Sequence, residues 1–152
     1  MSRSLQAEVE IQASAERVWE LLTDFAAYPE WNPFIVKASG EPVPGTRLEL
    51  HMRLAGRRPT TLRPEVLDAD PGRTLRWLGR LLVPGLFDGE HRFTIQPTGP
   101  GRVRVTQHEV FRGVLTPLVL AMIAKPTLES FHRMNDALKA RAEQPAPTLA
   151  AG

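Results

Sequence analysis

The chain has 152 residues, 42% of them hydrophobic and 24% charged, with a formal net charge of +2, the composition of one globular domain and not of a disordered chain. It has no cysteine, which excludes disulfide scaffolding, cysteine–metal sites and thiol nucleophiles. Its arginines are interleaved with Glu49, Glu65 and Glu90, so the concentrated basic patch that a nucleic-acid backbone requires is missing and no nucleic-acid partner is expected.

The first residues, Met-Ser-Arg-Ser-Leu-Gln, carry no apolar signal core. The longest apolar run, Val114 to Ala124, is broken by Thr116 and Pro117 and falls short of the roughly 20 residues that cross a bilayer. A cytoplasmic protein without integral membrane association is the expectation.

Leu5 to Gln12 alternates apolar and polar residues and predicts a half-buried strand. Ser14 is a helix cap, Glu16 suits the first turn, and Val18, Leu21, Leu22 and Phe25 follow at helical spacing. In Tyr28-Pro29-Glu30-Trp31-Asn32-Pro33-Phe34, each proline pushes its predecessor out of the α region. The stretch predicts one helical turn between two stiff corners, anchored by its aromatics.

Strands are expected over Phe34–Ser39, Thr46–Leu54, Thr60–Asp68, Thr74–Val83, Phe87–Gln96 and Arg102–Arg112, with Pro64 marking an edge or bulge. Thr116-Pro117 reads as a cap and first helical residue. The helix it opens runs to about Arg141, its apolar face formed by Leu118, Met122, Leu128, Phe131, Met134 and Leu138. Pro126 kinks it. Gln144 to Gly152 is Pro/Ala-rich and is expected to be a disordered tail after a single domain over 1–143. The order is α+β: a curved antiparallel sheet with the long helix packed in its concave face.

Several motifs resemble one family. They are Val9-Glu10-Ile11 with Ser14-Ala15-Glu16-Arg17-Val18-Trp19, then Tyr28 to Pro33, Leu75-Arg76-Trp77, Gly89-Glu90-His91-Arg92-Phe93, and Phe131 to Leu138. Together they are similar to the START-like (SRPBCC) superfamily, in its polyketide cyclase/dehydrase-like branch, over Leu5 to Glu143. The resemblance implies a helix-grip fold with a deep cavity between sheet and helix. It implies ligands such as lipids, aromatics, quinones or polyketides. No cofactor is expected. Trp31 and Phe34 would close part of the pocket wall.

Apolar candidates for the pocket are Trp31, Phe34, Leu50, Met52, Trp77, Phe93, Met122 and Phe131; Trp77, Phe93 and Phe131 are expected to share one enclosed space. The informative polar candidates interrupt apolar strand faces. His91 shares a face with Phe87, Gly89 and Phe93, and Gln107 and Glu109 share one with Val103, Val105 and Phe111. Buried polar groups need partners, and adjacent antiparallel strands set His91 opposite Gln107 or Glu109. Gly85, Gly89 and Gly99 read as turn or bulge glycines. His51 and His108 point outward, His132 lies beside the helix stripe, and no histidine pair has metal-site spacing.

Three functions fit: binding of a small, largely hydrophobic molecule, a cyclase or dehydratase using His91 and Glu109, and a protein-interaction module with a vestigial cavity. The catalytic residues and the oligomeric state are not legible.

Overall fold

Alternating residues extend the first segment into a strand, and its partner carries it further than the alternation does. In the computed structural model, which describes residues 2–81 and 83–145, β1 spans Ser2–Ile11. It starts before Leu5 because Ser2 still pairs with Arg112 of β8 (Arg102–Arg112). Helix α1 (Ala15–Thr23) buries Val18, Leu21 and Leu22, and Ser14 Oγ accepts from Arg17 N–H at 3.1 Å. A 3-10 turn, Phe25–Ala27, leads into the single turn of α2 (Tyr28–Trp31).

The corner after α2 is held by Asn32. It is extended (φ −91°, ψ 112°), and its Oδ1 accepts from Phe34 N–H at 2.9 Å and Ile35 N–H at 2.8 Å. The expectation for Tyr28 is corrected: it is helical (φ −53°, ψ −38°) despite preceding Pro29. Its ring is fully buried, edge-on to Phe25 and Trp31, and its hydroxyl donates to Leu22 O. That anchoring outweighs the pre-proline preference.

Burial, and secondarily the Asp24 carboxylate, raises the Tyr28 pKa well above its ordinary 10.0. The native state therefore keeps its proton above pH ~10, where the unfolded chain releases it. The contribution is complete below the unfolded pKa and is lost as pH rises above it. Stability should fall by about 1.4 kcal/mol per pH unit above pH ~10, and Tyr28→Phe should flatten that slope. Urea titrations across the alkaline range would show this, and the chain's single tyrosine makes phenolate absorbance an unambiguous reporter. An equal slope in both proteins would refute it.

Among the described residues, eight antiparallel strands form two sheets rather than one. The smaller has the order β2 (Ile35–Ser39), β3 (Glu49–Met52), β4 (Thr60–Leu62). The larger runs β1-β8-β7-β6-β5, with β5 at Glu65–Asp70, β6 at Thr74–Leu81 and β7 at Phe87–Gly99. The strand expected over Thr60–Asp68 is thus two strands in different sheets. Pro64, which has no N–H for a ladder, sits between them. Arg47 bridges Glu65 there, Leu48 N–H donates to Pro64 O at 2.9 Å, and Val66 N–H donates to Thr46 O at 2.8 Å.

Helix α3 (Thr116–Ala142) packs mainly against β1 and buries Leu120, Thr127, Phe131, Met134 and Leu138. The sequence places Leu118 and Met122 on this face, but they are exposed, since at 100° per residue they lie opposite the buried stripe. Thr116 begins the helix instead of capping it, and its hydroxyl is buried without a partner. Pro126 has no N–H to give Met122 O. Arg57 Nη2 supplies one at 3.1 Å from the β3–β4 turn. The same turn is held again where Ser130 Oγ accepts from Ala55 N–H at 3.0 Å and donates to Pro126 O at 2.7 Å. Gly113 (φ 128°) turns the chain into α3 so close to Leu86 that a Cβ would lie 2.3 Å from its carbonyl oxygen. Of the tail expected over 144–152, residues 146–152 lie outside the described residues.

Candidate functional site

Three cross-strand rows on the inner face of β6, β7 and β8 build the site. Leu75, Phe93 and Gln107 align in the first, Trp77, His91 and Glu109 in the second, and Gly79, Gly89 and Phe111 in the third. The third row has side chains missing from two neighbouring strands. The room this leaves is a cavity of about 210 Å³, open at one side and mainly apolar. Gly89 is a mid-strand residue, not the turn or bulge glycine expected; a Cβ on it would press to 3.2 Å from Glu109 Oε1.

The walls come from all the layers. The large sheet gives Trp77, Phe87, Glu109 and Phe111, the small sheet gives Leu50, Met52 and Leu62, and α3 gives Val119, Ile123 and Thr127. Phe34, Leu54, Thr60, Pro64 and Arg80 complete the lining. Of the residues expected in the pocket, Phe34, Leu50, Met52, Trp77 and Glu109 are therefore on its surface. His91, Phe93, Gln107 and Phe131 lie behind that surface in packed core. Trp77 alone of the aromatic trio Trp77, Phe93 and Phe131 touches the open space.

Two candidates lie elsewhere. Trp31 is turned toward Tyr28, with ring centroids 5.3 Å apart, by the helical turn before Asn32. Met122 is 63% exposed on the outer face of α3, half a turn from the stripe that faces the core. The sequence reading missed Val119, Ile123 and Thr127, because before Pro126 it put Leu118 and Met122 on the inward face of the helix. It also missed the glycine pair, whose signal was available: two glycines at matching positions either side of the Pro84-Gly85 break.

Behind the cavity wall runs a buried polar chain. Gln107 Nε2 donates to Asn135 Oδ1 at 2.7 Å and to Phe131 O at 3.2 Å. Those two carbonyl acceptors fix the amide, so its Oε1 faces His91 Nε2 at 3.0 Å and that nitrogen carries the hydrogen, an assignment made from the network. His91 Nδ1 is left 3.5 Å from Glu109 Oε1, long for a hydrogen bond, with no other partner. The imidazole is stacked on Trp77 (5.4 Å, 15°) and flanked by Phe93 and Phe131. Its side chain is 1% exposed and that of Glu109 is 15%. Glu109 thus meets the cavity while His91 supports it from behind. Thr127 Oγ1, also buried and unpartnered, belongs to a second cavity-lining residue. Among the described residues, no group of three His, Asp or Glu side chains is placed to hold a metal ion.

The family model described as "Polyketide cyclase / dehydrase and lipid transport" matches residues 2–143. The chain belongs to this family. None of the curated proteins matches it in sequence. Among solved structures, a START superfamily protein from Mycobacterium smegmatis is 25% identical, with a TM-score of 0.72 over 93% of this chain and 97% of the other. The Zhui aromatase/cyclase from Streptomyces sp. R1128 superposes with a TM-score of 0.77 at 20% identity, over 94% of each chain. Norcoclaurine synthase from Thalictrum flavum, solved with dopamine and hydroxybenzaldehyde, gives 0.70 at 15% identity over 96% and 90%. The helix-grip architecture of this START-like family is the one described above: antiparallel strands, in two sheets that do not close into a barrel, around a long C-terminal helix. Among the described residues no helix is long and apolar enough to cross a membrane.

Proposed function

We propose that the chain binds a small, largely apolar molecule, of a lipid, aromatic, quinone or polyketide-like kind, in the cavity between the sheets and α3. One observation carries this reading. Adjacent strands forgo side chains at Gly79 and Gly89, and the room left is apolar except for a few polar groups, chief among them the Glu109 carboxylate. A partly buried carboxylate needs a partner, and a hydrogen-bond donor on the ligand would supply one. The unpartnered Thr127 hydroxyl offers a second polar contact. The family description, with its mention of lipid transport, supports the same ligand class. The open volume weighs against a vestigial cavity.

The test is to fill the space. A Cβ on Gly79 would meet nothing nearer than 3.9 Å, and its backbone is ordinary extended strand. Gly79→Leu should abolish uptake of an apolar fluorescent probe while leaving the melting temperature unchanged or raised. Undiminished uptake by the folded variant would rule out the cavity as the binding site.

The contact between His91 Nδ1 and Glu109 favours a second reading, an enzyme of the cyclase or dehydratase type. Glu109 would exchange a proton with the ligand, and His91, its Nε2 tied to Gln107, would hold or return that proton through Nδ1. Apolar molecules of the ligand class, incubated with the protein and then separated by chromatography, distinguish the two: a binder returns them unchanged, and an enzyme returns a dehydrated product or a cyclised isomer of different retention.

A further inference from the structure

Val83, Val114, Leu118 and Met122 are large aliphatic side chains left 56%, 76%, 66% and 63% exposed. They gather at one end of the molecule. Val114 N–H donates to Gly85 O at 3.1 Å and Leu115 N–H to Leu86 O at 2.9 Å, so the turn carrying Val83 is bonded to the turn carrying Val114. Leu118 and Met122 follow one turn apart on the outer face of α3, and Lys125 continues that face. Arg57, reaching Met122 O, brings the β3–β4 turn and Arg58 to the same place.

The charge there is one-sided. Leu50–Pro64 and Val110–Leu128 hold Arg53, Arg57, Arg58, Arg63, Arg112 and Lys125 and no acidic residue, in a chain whose overall net charge is only +2. Among the described residues, Arg57, Arg58 and Lys125 have no carboxylate within ion-pair distance. The nearby acids are engaged: Asp88 with Gly85 N–H and Arg80, Glu90 with Arg76 and Arg112, and Glu129, one turn past Lys125 on the same helix face, with Arg133.

We propose that this face docks peripherally on an anionic lipid surface. Exposed aliphatic side chains ringed by free cations suit the boundary between phosphate headgroups and acyl chains. A nucleic-acid backbone would gain nothing from the aliphatic residues, and a second copy would bring the same cations against these. The face adjoins the cavity through Val119 and Ile123, next to Leu118 and Met122 on the same helix. The proposal holds whatever the cavity contains.

Flotation with phospholipid vesicles tests it. The protein should float with vesicles of equal parts phosphatidylcholine and phosphatidylglycerol, should not float with phosphatidylcholine alone, and should detach as salt is added. Leu118→Ser and Met122→Ser should each weaken partitioning by roughly tenfold, the loss expected for one large apolar side chain. Arg58→Glu with Lys125→Glu should do the same at low salt, and Val43→Ser, an exposed valine between β2 and β3, should change nothing. All are surface positions, so circular dichroism should be unaltered. No flotation, equal flotation with neutral vesicles, or a Val43→Ser effect as large as that of Leu118→Ser would overturn the proposal. So would a dimer in solution that the Leu118 and Met122 changes dissociate.

Discussion

Truncating Phe131 to alanine is expected to lower stability by about 3–5 kcal/mol, the range for a fully buried phenylalanine. The ring is completely inaccessible, 5.7 Å from Phe34 and 5.1 Å from His91 between ring centroids. It does not border the cavity, so no existing space absorbs the loss and a new void opens behind the wall. The corresponding drop in melting temperature is roughly 6–20 °C for a chain of this length. Urea denaturation measures it directly. A loss under about 1 kcal/mol would mean that the core here is loose, and the separation drawn between cavity and packed interior would fail.

The second large effect is expected at Gln107, the hub of the buried polar chain. Gln107→Leu leaves His91 Nε2–H and Asn135 Oδ1 without partners in a site closed to water. At about 1–3 kcal/mol for each stranded group, the loss is roughly 2–6 kcal/mol. Phe131 O loses a donor too, but it is a helical carbonyl with its own bond along α3, so it adds little. The measurement that identifies the cause is a double-mutant cycle. In a His91→Phe background one stranded group is already gone, so Gln107→Leu should cost clearly less there. Equal costs in both backgrounds would show that the two side chains are not coupled.

The parts of the fold that could be read in the sequence are those where a local pattern and its tertiary partner agree. The alternations of β1, β6, β7 and β8 survive because each lies in a long ladder with one buried face. The segment 60–68 misled because its residues look alike on either side of Pro64, and nothing local says that they pair in different sheets. The face of α3 misled for a related reason. Leu118 and Met122 are apolar, but they lie about half a turn from Phe131, Met134 and Leu138, and the helical period carried back through Pro126 puts Leu120 and Thr127 on the inward face instead. At the site, His91, Gln107 and Glu109 were readable as polar interruptions of apolar faces. The empty space was legible only in part: Gly79 and Gly89 stand at matching distances from the Pro84-Gly85 break, but that they fall at the same level of adjacent strands is set by register.

Because β4 and β5 belong to different sheets, the β3–β4 hairpin can lengthen without shifting any residue from β5 to β8. Doubling a surface loop adds only about 0.6 kcal/mol of closure entropy, beyond the loss of the two contacts that Ala55 and Arg57 make with α3. Insertions and deletions over 53–60 would thus resize one wall of the cavity while Glu109, His91 and the glycine pair stay in register. The hairpin alone can therefore change the shape of the cavity while the same polar group stays at the same place.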